Sequence, residues 1–112
     1  AYELWGRWSG TYYYKNGKGV NFSFDISDPG EQFSGKMTEP NTFGSSKARF
    51  LYASVEGQVY DNGQVVFNKV YDGTASVGHV VTYQGMLLNR GMTIKGTWQT
   101  GSNSGKFVMN RE

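Results

Sequence analysis

The chain has 112 residues, enough for a single domain spanning 1–112 and too few for two. Only 18% of residues are charged, the formal net charge is +2 and basic residues form no long run, so no nucleic-acid partner is expected. The absence of Cys excludes disulfides, thiolate chemistry and Cys-ligated metal, and no apolar stretch approaches the roughly 20 residues of a membrane helix, so no membrane partner is expected.

Sixteen Gly, two Pro and an aromatic content of 16% suit strands joined by tight turns. The first predicted strand, 4–15, contains Trp8-x-Gly10-x-Tyr12. Asn16-Gly17-Lys18-Gly19 turns the chain into a second strand, 20–27, and Asp28-Pro29-Gly30 turns it into a third, 32–39, with Phe33-x-Gly35-x-Met37. A polar Gly/Ser-containing connection, 40–49, leads to the fourth strand, 50–60, with Val55-x-Gly57-x-Val59. Asp61-Asn62-Gly63 precedes the fifth, 64–71, and a second flexible connection, 72–78, precedes the sixth, 79–88, with Tyr83-x-Gly85-x-Leu87. Asn89-Arg90-Gly91 introduces the seventh, 92–100, with Ile94-x-Gly96-x-Trp98, and 101–105 turns into the eighth, 106–111. Asn-Gly and Asp-Asn-Gly supply the positive φ of tight hairpins, so consecutive strands should be antiparallel neighbours.

The repeated apolar-x-Gly-x-apolar pattern has a period of two, with polar residues between, which gives each strand one apolar and one wet face. Gly weakens a strand, so its recurrence on the apolar face requires a reason. Sharp curvature around a common axis supplies one; a two-sheet sandwich with bulges is the alternative, and the Gly placement and strand count favour closure. The expected fold is all-β, an antiparallel up-and-down eight-stranded β-barrel. The inner glycines also remove side-chain volume, which points to a cavity, although barrels of this size can be filled by side chains alone.

Gly6-Arg7-Trp8 places a Gly-x-Trp motif in the first strand, and Arg111 ends the last. This pairing resembles the calycins, the group containing lipocalins, fatty-acid-binding proteins and avidins. There an early Trp closes one end of the barrel and a basic residue of the terminal strand packs across it. Length and layout look most like avidins, with Ser9-Gly10-Thr11-Tyr12 at the level of their early ligand contacts and Trp98 matching one of their tryptophans. The lipocalin Thr-Asp-Tyr motif and the helical lid of fatty-acid-binding proteins have no counterpart. The resemblance implies a barrel with a ligand mouth and names no ligand. Stacking of Arg111 on Trp8 is expected in preference to anion binding. The start at Ala1-Tyr2-Glu3 is that expected of a trimmed product or a piece of a larger chain.

With the Trp8 end taken as the bottom, the apolar phase sends Tyr14, Glu39, Lys69, Tyr71 and Trp98 to the top as inward residues, joined by His79 and Tyr83 from the sixth strand. These seven are the candidate ligand-binding residues, under the two long connections. Lys69 is in phase with large apolar residues: it either pairs with Glu39 or snorkels its amine to water. His79 is the only His, too little for a metal site, and no cofactor is expected. Asp25, Asp28 and Glu31 read as a solvated turn, not a Ca²⁺ site. The leading functional expectation is a module holding a small, partly apolar molecule. One alternative is a small cyclase- or isomerase-type enzyme with His79 as acid/base. The other is an interaction domain presenting Tyr2, Trp5, Tyr13 and Tyr52, and an avidin-like homo-oligomer fits the same exposed residues.

Overall fold

The structure is a computed structural model that describes residues 3–45 and 47–112. Eight strands, β1 (Arg7–Tyr13), β2 (Gly19–Asp28), β3 (Gln32–Pro40), β4 (Phe50–Val59), β5 (Gln64–Tyr71), β6 (Val80–Leu88), β7 (Thr93–Thr100) and β8 (Asn103–Arg111), follow one another around a closed barrel. Every neighbouring pair is antiparallel, and β1 closes on β8 with Trp8 opposite Arg111 and Tyr12 opposite Phe107. The up-and-down barrel expected from the alternation is the fold observed.

Two strands, β1 and β8, differ from the expected bounds by more than one residue. β1 is shorter than the apolar run because Gly6 takes φ +87° and the preceding segment leaves the ladder, with Leu4 bridging Gly30 across the bottom. β8 starts three residues early, because Thr100 pairs with Asn103 and leaves only Gly101 and Ser102 in the turn. Leu4, Val20, Ala53, Val65 and Val77 are buried in the core, whereas Ile26 is only half-buried beside a register shift in β2.

The inner glycines do not open a cavity, contrary to the volume argument. A Cβ on Gly57 would lie 2.7 Å from Phe33 Cζ and 2.6 Å from the Val66 carbonyl oxygen. Gly57 sits opposite Phe33 on one side and Phe67 on the other, and Gly10 sits opposite Phe22. Gly10 and Gly57 are each overlaid by a ring from a neighbouring strand, so the volume they give up is taken by an aromatic neighbour, whereas Gly35, Gly85 and Gly96 lie against the backbone of the adjacent strand. Phe24, Phe33, Phe67, Tyr83 and Phe107 consequently form a continuous cluster through the middle of the barrel, with Phe67 and Tyr83 stacked at 4.7 Å.

The bottom is sealed. The Arg111 guanidinium lies between the Trp5 ring at 4.3 Å and the Trp8 ring at 4.5 Å. It donates to the carbonyls of Gly91 and Trp5, and Trp8 Nε1 also donates to the Trp5 carbonyl. The expected stack on Trp8 is present, and Trp5 adds a second face. The other aromatics taken together as a contact patch are dispersed. Trp5 is at the bottom, whereas Tyr13 and Tyr52 are exposed on β1 and β4, which are not neighbours; Tyr2 lies outside the described residues. Asp25, one of the acidic-turn residues, faces outward and pairs with Arg7 at 2.6 Å.

Candidate functional site

The top of the barrel is built in two tiers. The lower tier is a polar cluster walled by rings. Lys69 on β5 and Glu39 on β3 are 0% and 2% exposed, and Lys69 Nζ donates to Glu39 Oε1. Tyr71 donates to the same oxygen at 2.9 Å, and Tyr12 donates to Oε2 at 2.5 Å. The ammonium lies 4.8 Å from the Tyr12 and Tyr71 ring centroids and 5.7 Å from those of Phe22 and Tyr83. The pairing of Lys69 with Glu39 is therefore the arrangement adopted, and the snorkelling alternative is overturned. The stem enters the barrel at mid-height, with Phe67 and Tyr71 two positions away on the same face, and no outward path is open to the amine.

Burial governs the electrostatics of this tier. It pushes the Lys69 ammonium down from its ordinary value while the Glu39 carboxylate opposes that shift. Burial, reinforced by Glu39, pushes the Tyr12 and Tyr71 phenols far up, and Tyr83 is raised by the same burial. All three phenols are neutral over the physiological range.

Above this tier lies an open cleft of about 270 Å³. Its floor is formed by Tyr12, Tyr71 and Tyr83. One wall is Tyr14 and Trp98, edge-to-face at 5.7 Å, with Thr100 and Asn103 at the rim. The opposite wall is Phe43 and His79, both packed on Tyr71, at 5.9 and 4.8 Å. Trp98 is fixed by a 3.0 Å hydrogen bond from Nε1 to the Tyr13 carbonyl, made across Gly105 on the intervening strand. Phe43 is placed by its loop: Asn41 Nδ2 donates to the carbonyls of Ser45 and Ala48, and Asn41 Oδ1 accepts from Gly44 N at 2.7 Å. Ser45 N then donates to the Ala75 carbonyl, which joins the two long connections over the mouth.

Of the seven residues singled out in the sequence, Tyr14, Tyr71, His79, Tyr83 and Trp98 border this cleft, and Glu39 and Lys69 lie beneath it. His79 is not inward as the apolar phase suggested. It stands exposed on the rim, just before β6, where the ladder ends with its carbonyl accepting from Tyr71 N. No hydrogen bond to a described residue orients its imidazole, so the geometry lends no support to an acid/base role. Tyr12, Phe43, Val81, Thr100 and Asn103 also border the cleft and are not among the seven. Tyr12 carried a signal, an inward Tyr one turn of the pleat below Tyr14. Phe43 carried a weaker one, an aromatic alone in a polar loop.

No family model matches the chain, and no curated protein matches it in sequence. Among solved structures it is similar to a redesigned β-barrel, with a TM-score of 0.72, 14% identity, and coverage of 97% of this chain and 91% of that one. It is also similar to a de novo designed fluorescence-activating β-barrel, with a TM-score of 0.68, 12% identity, and coverage of 97% and 94%. At these identities the likeness is one of fold, and it agrees with the eight-stranded closed barrel described above.

Proposed function

We propose that the protein is a binding module that holds a small, partly apolar molecule in the aromatic cleft at the top of the barrel. The observation that carries this reading is the asymmetry of the interior. The bottom is sealed by Trp5, Arg111 and Trp8 and the middle is filled by rings, while the top is an open recess with aromatic walls and a polar floor. Apolar walls supply contact area, and a few fixed polar groups supply orientation. The recess is shallower than the upper-half cavity expected from the sequence, because the Lys69–Glu39 pair fills the level below it. Its volume suits a molecule of two or three fused or linked rings. One of the similar barrels is described as fluorescence-activating; that property belongs to that protein and supports the reading by shared shape alone. The Trp8–Arg111 closure supports, in the same way, a place for the chain among calycin-like barrels.

The test is titration with prodan, a neutral naphthalene ketone whose emission rises and shifts to the blue in an apolar site. Saturable one-to-one binding is expected. Phe43, 45% exposed, is a wall residue outside the packed interior, so Phe43→Ala should weaken binding about fivefold, the value of roughly one aromatic contact. Absence of saturable binding by prodan and by a panel of aromatic molecules of similar size would overturn the proposal.

A further inference from the structure

Three phenols form the floor of the cleft, and two of them have spent their hydrogens. Tyr12 and Tyr71 both donate to Glu39. Tyr83 differs: its oxygen receives a long 3.5 Å contact from Lys69 Nζ, and its own O–H donates to no described residue. Tyr83 is 1% exposed, so this is a buried donor with no acceptor, and it borders the cleft. A buried hydroxyl hydrogen left without a partner is unfavourable, and a molecule that brings an acceptor to it gains the bond without displacing a protein partner.

Charge selects in the same direction. Among the described residues no Asp, Glu, Lys or Arg borders the cleft, and the buried Lys69–Glu39 pair beneath it is self-neutralised, with both Glu39 oxygens occupied. An anionic ligand would leave water to face ring walls and a floor offering one donor, with no Lys or Arg to pair with and only the exposed His79 imidazole at the rim. The walls are ring faces and edges set for stacking on a flat partner.

From these observations, and resting on the binding reading above, we infer that the cleft selects neutral, planar aromatic molecules with a hydrogen-bond acceptor at the inserted end, the acceptor being taken by the Tyr83 hydroxyl. Aromatic ketones, lactones and ring nitrogens meet this description. Aromatic carboxylates and aromatics without an acceptor do not.

Three probes of similar size separate the possibilities: coumarin, a neutral lactone; indole, a neutral donor; and coumarin-3-carboxylate, an anion. Affinities are measured by isothermal titration against the wild type and Tyr83→Phe, with thermal melting to establish that the variant is folded. Coumarin is expected to bind the wild type about tenfold more tightly than either of the others, and Tyr83→Phe is expected to abolish the preference over indole. Equal affinities for the three, or a preference that survives Tyr83→Phe, would overturn the selectivity and leave the binding reading standing. If no probe binds and prodan also fails, both fall together. If prodan binds and coumarin does not, the selectivity alone is refuted.

Discussion

At the level of single residues the most consequential choice is the ion pair under the cleft. A Lys and a Glu buried this completely are retained only with close pairing and full hydrogen bonding, and both conditions are met by Tyr12, Tyr71 and the surrounding rings. Removing one partner strands the other. Lys69→Met leaves a buried carboxylate with two phenol donors, and Glu39→Gln leaves an ammonium surrounded by ring faces. Each is expected to reduce stability by about 3–5 kcal/mol. The double variant Glu39→Gln/Lys69→Met keeps an acceptor for one of the two phenols, lets the other accept from the Gln amide, and carries no buried charge. It should therefore lose less than either single variant. Urea unfolding at neutral pH, with linear extrapolation, measures all three. Losses that simply add in the double variant would show that the two charges are not energetically coupled. Lys69 also shows where sequence reasoning stops. Its inward phase and its partner were readable from Val65-x-Phe67-x-Lys69-x-Tyr71, but full burial over snorkelling was not. That depends on rings contributed by β1, β2 and β6, which no local pattern displays.

At the level of strands, the recurring Gly on the inner face is explained by pairing across the sheet. Gly10, Gly57 and Gly105 lie beside Phe22, Phe33 and Trp98, and Gly85 faces Gly96. The period-two pattern showed which face these glycines occupy, and therefore the curvature and closure. It did not show that Gly10, Gly57 and Gly105 would be covered by rings, because register fixes that, and register is not local. The same limit explains His79: its parity with Val81 is correct, but parity has no meaning once the ladder has ended. The cross-strand explanation makes a contrasting prediction for two glycines. A Cβ on Gly96 would come within 2.5 Å of Gly85 Cα and closer still to the Gln84 carbonyl, whereas one on Gly78 would meet nothing within 4 Å. Gly96→Ala is expected to lower stability by at least about 2 kcal/mol through forced separation of β6 and β7. Gly78→Ala, in an open loop with no positive φ, should be neutral or stabilising by about 0.5 kcal/mol. Thermal melts of the two variants test this, and similar melting temperatures would mean that the inner glycines are incidental to closure.

For the whole molecule, seven of the eight strand pairings join consecutive strands through short or moderate connections, and one joins the two ends of the chain. That last pairing is reinforced at the bottom, where Arg111 contacts Trp5 from 106 positions away. Closing a loop of that length carries the largest entropy penalty in the fold, and the seam returns its contacts only once both ends are in place. The hairpins should therefore form first and the seam last. Arg111→Lys keeps the charge but loses the planar fork that bonds Gly91 and stacks between two indoles. A loss of about 1–2 kcal/mol is expected, and a late seam assigns nearly all of it to unfolding, which should accelerate roughly five- to thirtyfold with folding almost unchanged. Val55→Ala, in the middle of β4 between Gly35 and Lys69, removes contacts made among sequence-local hairpins and should slow folding. Stopped-flow folding and unfolding arms for the two variants decide the order. A folding arm slowed by Arg111→Lys as much as by Val55→Ala would mean that the ends meet early, and the sealed bottom would then direct the assembly of the barrel and not complete it.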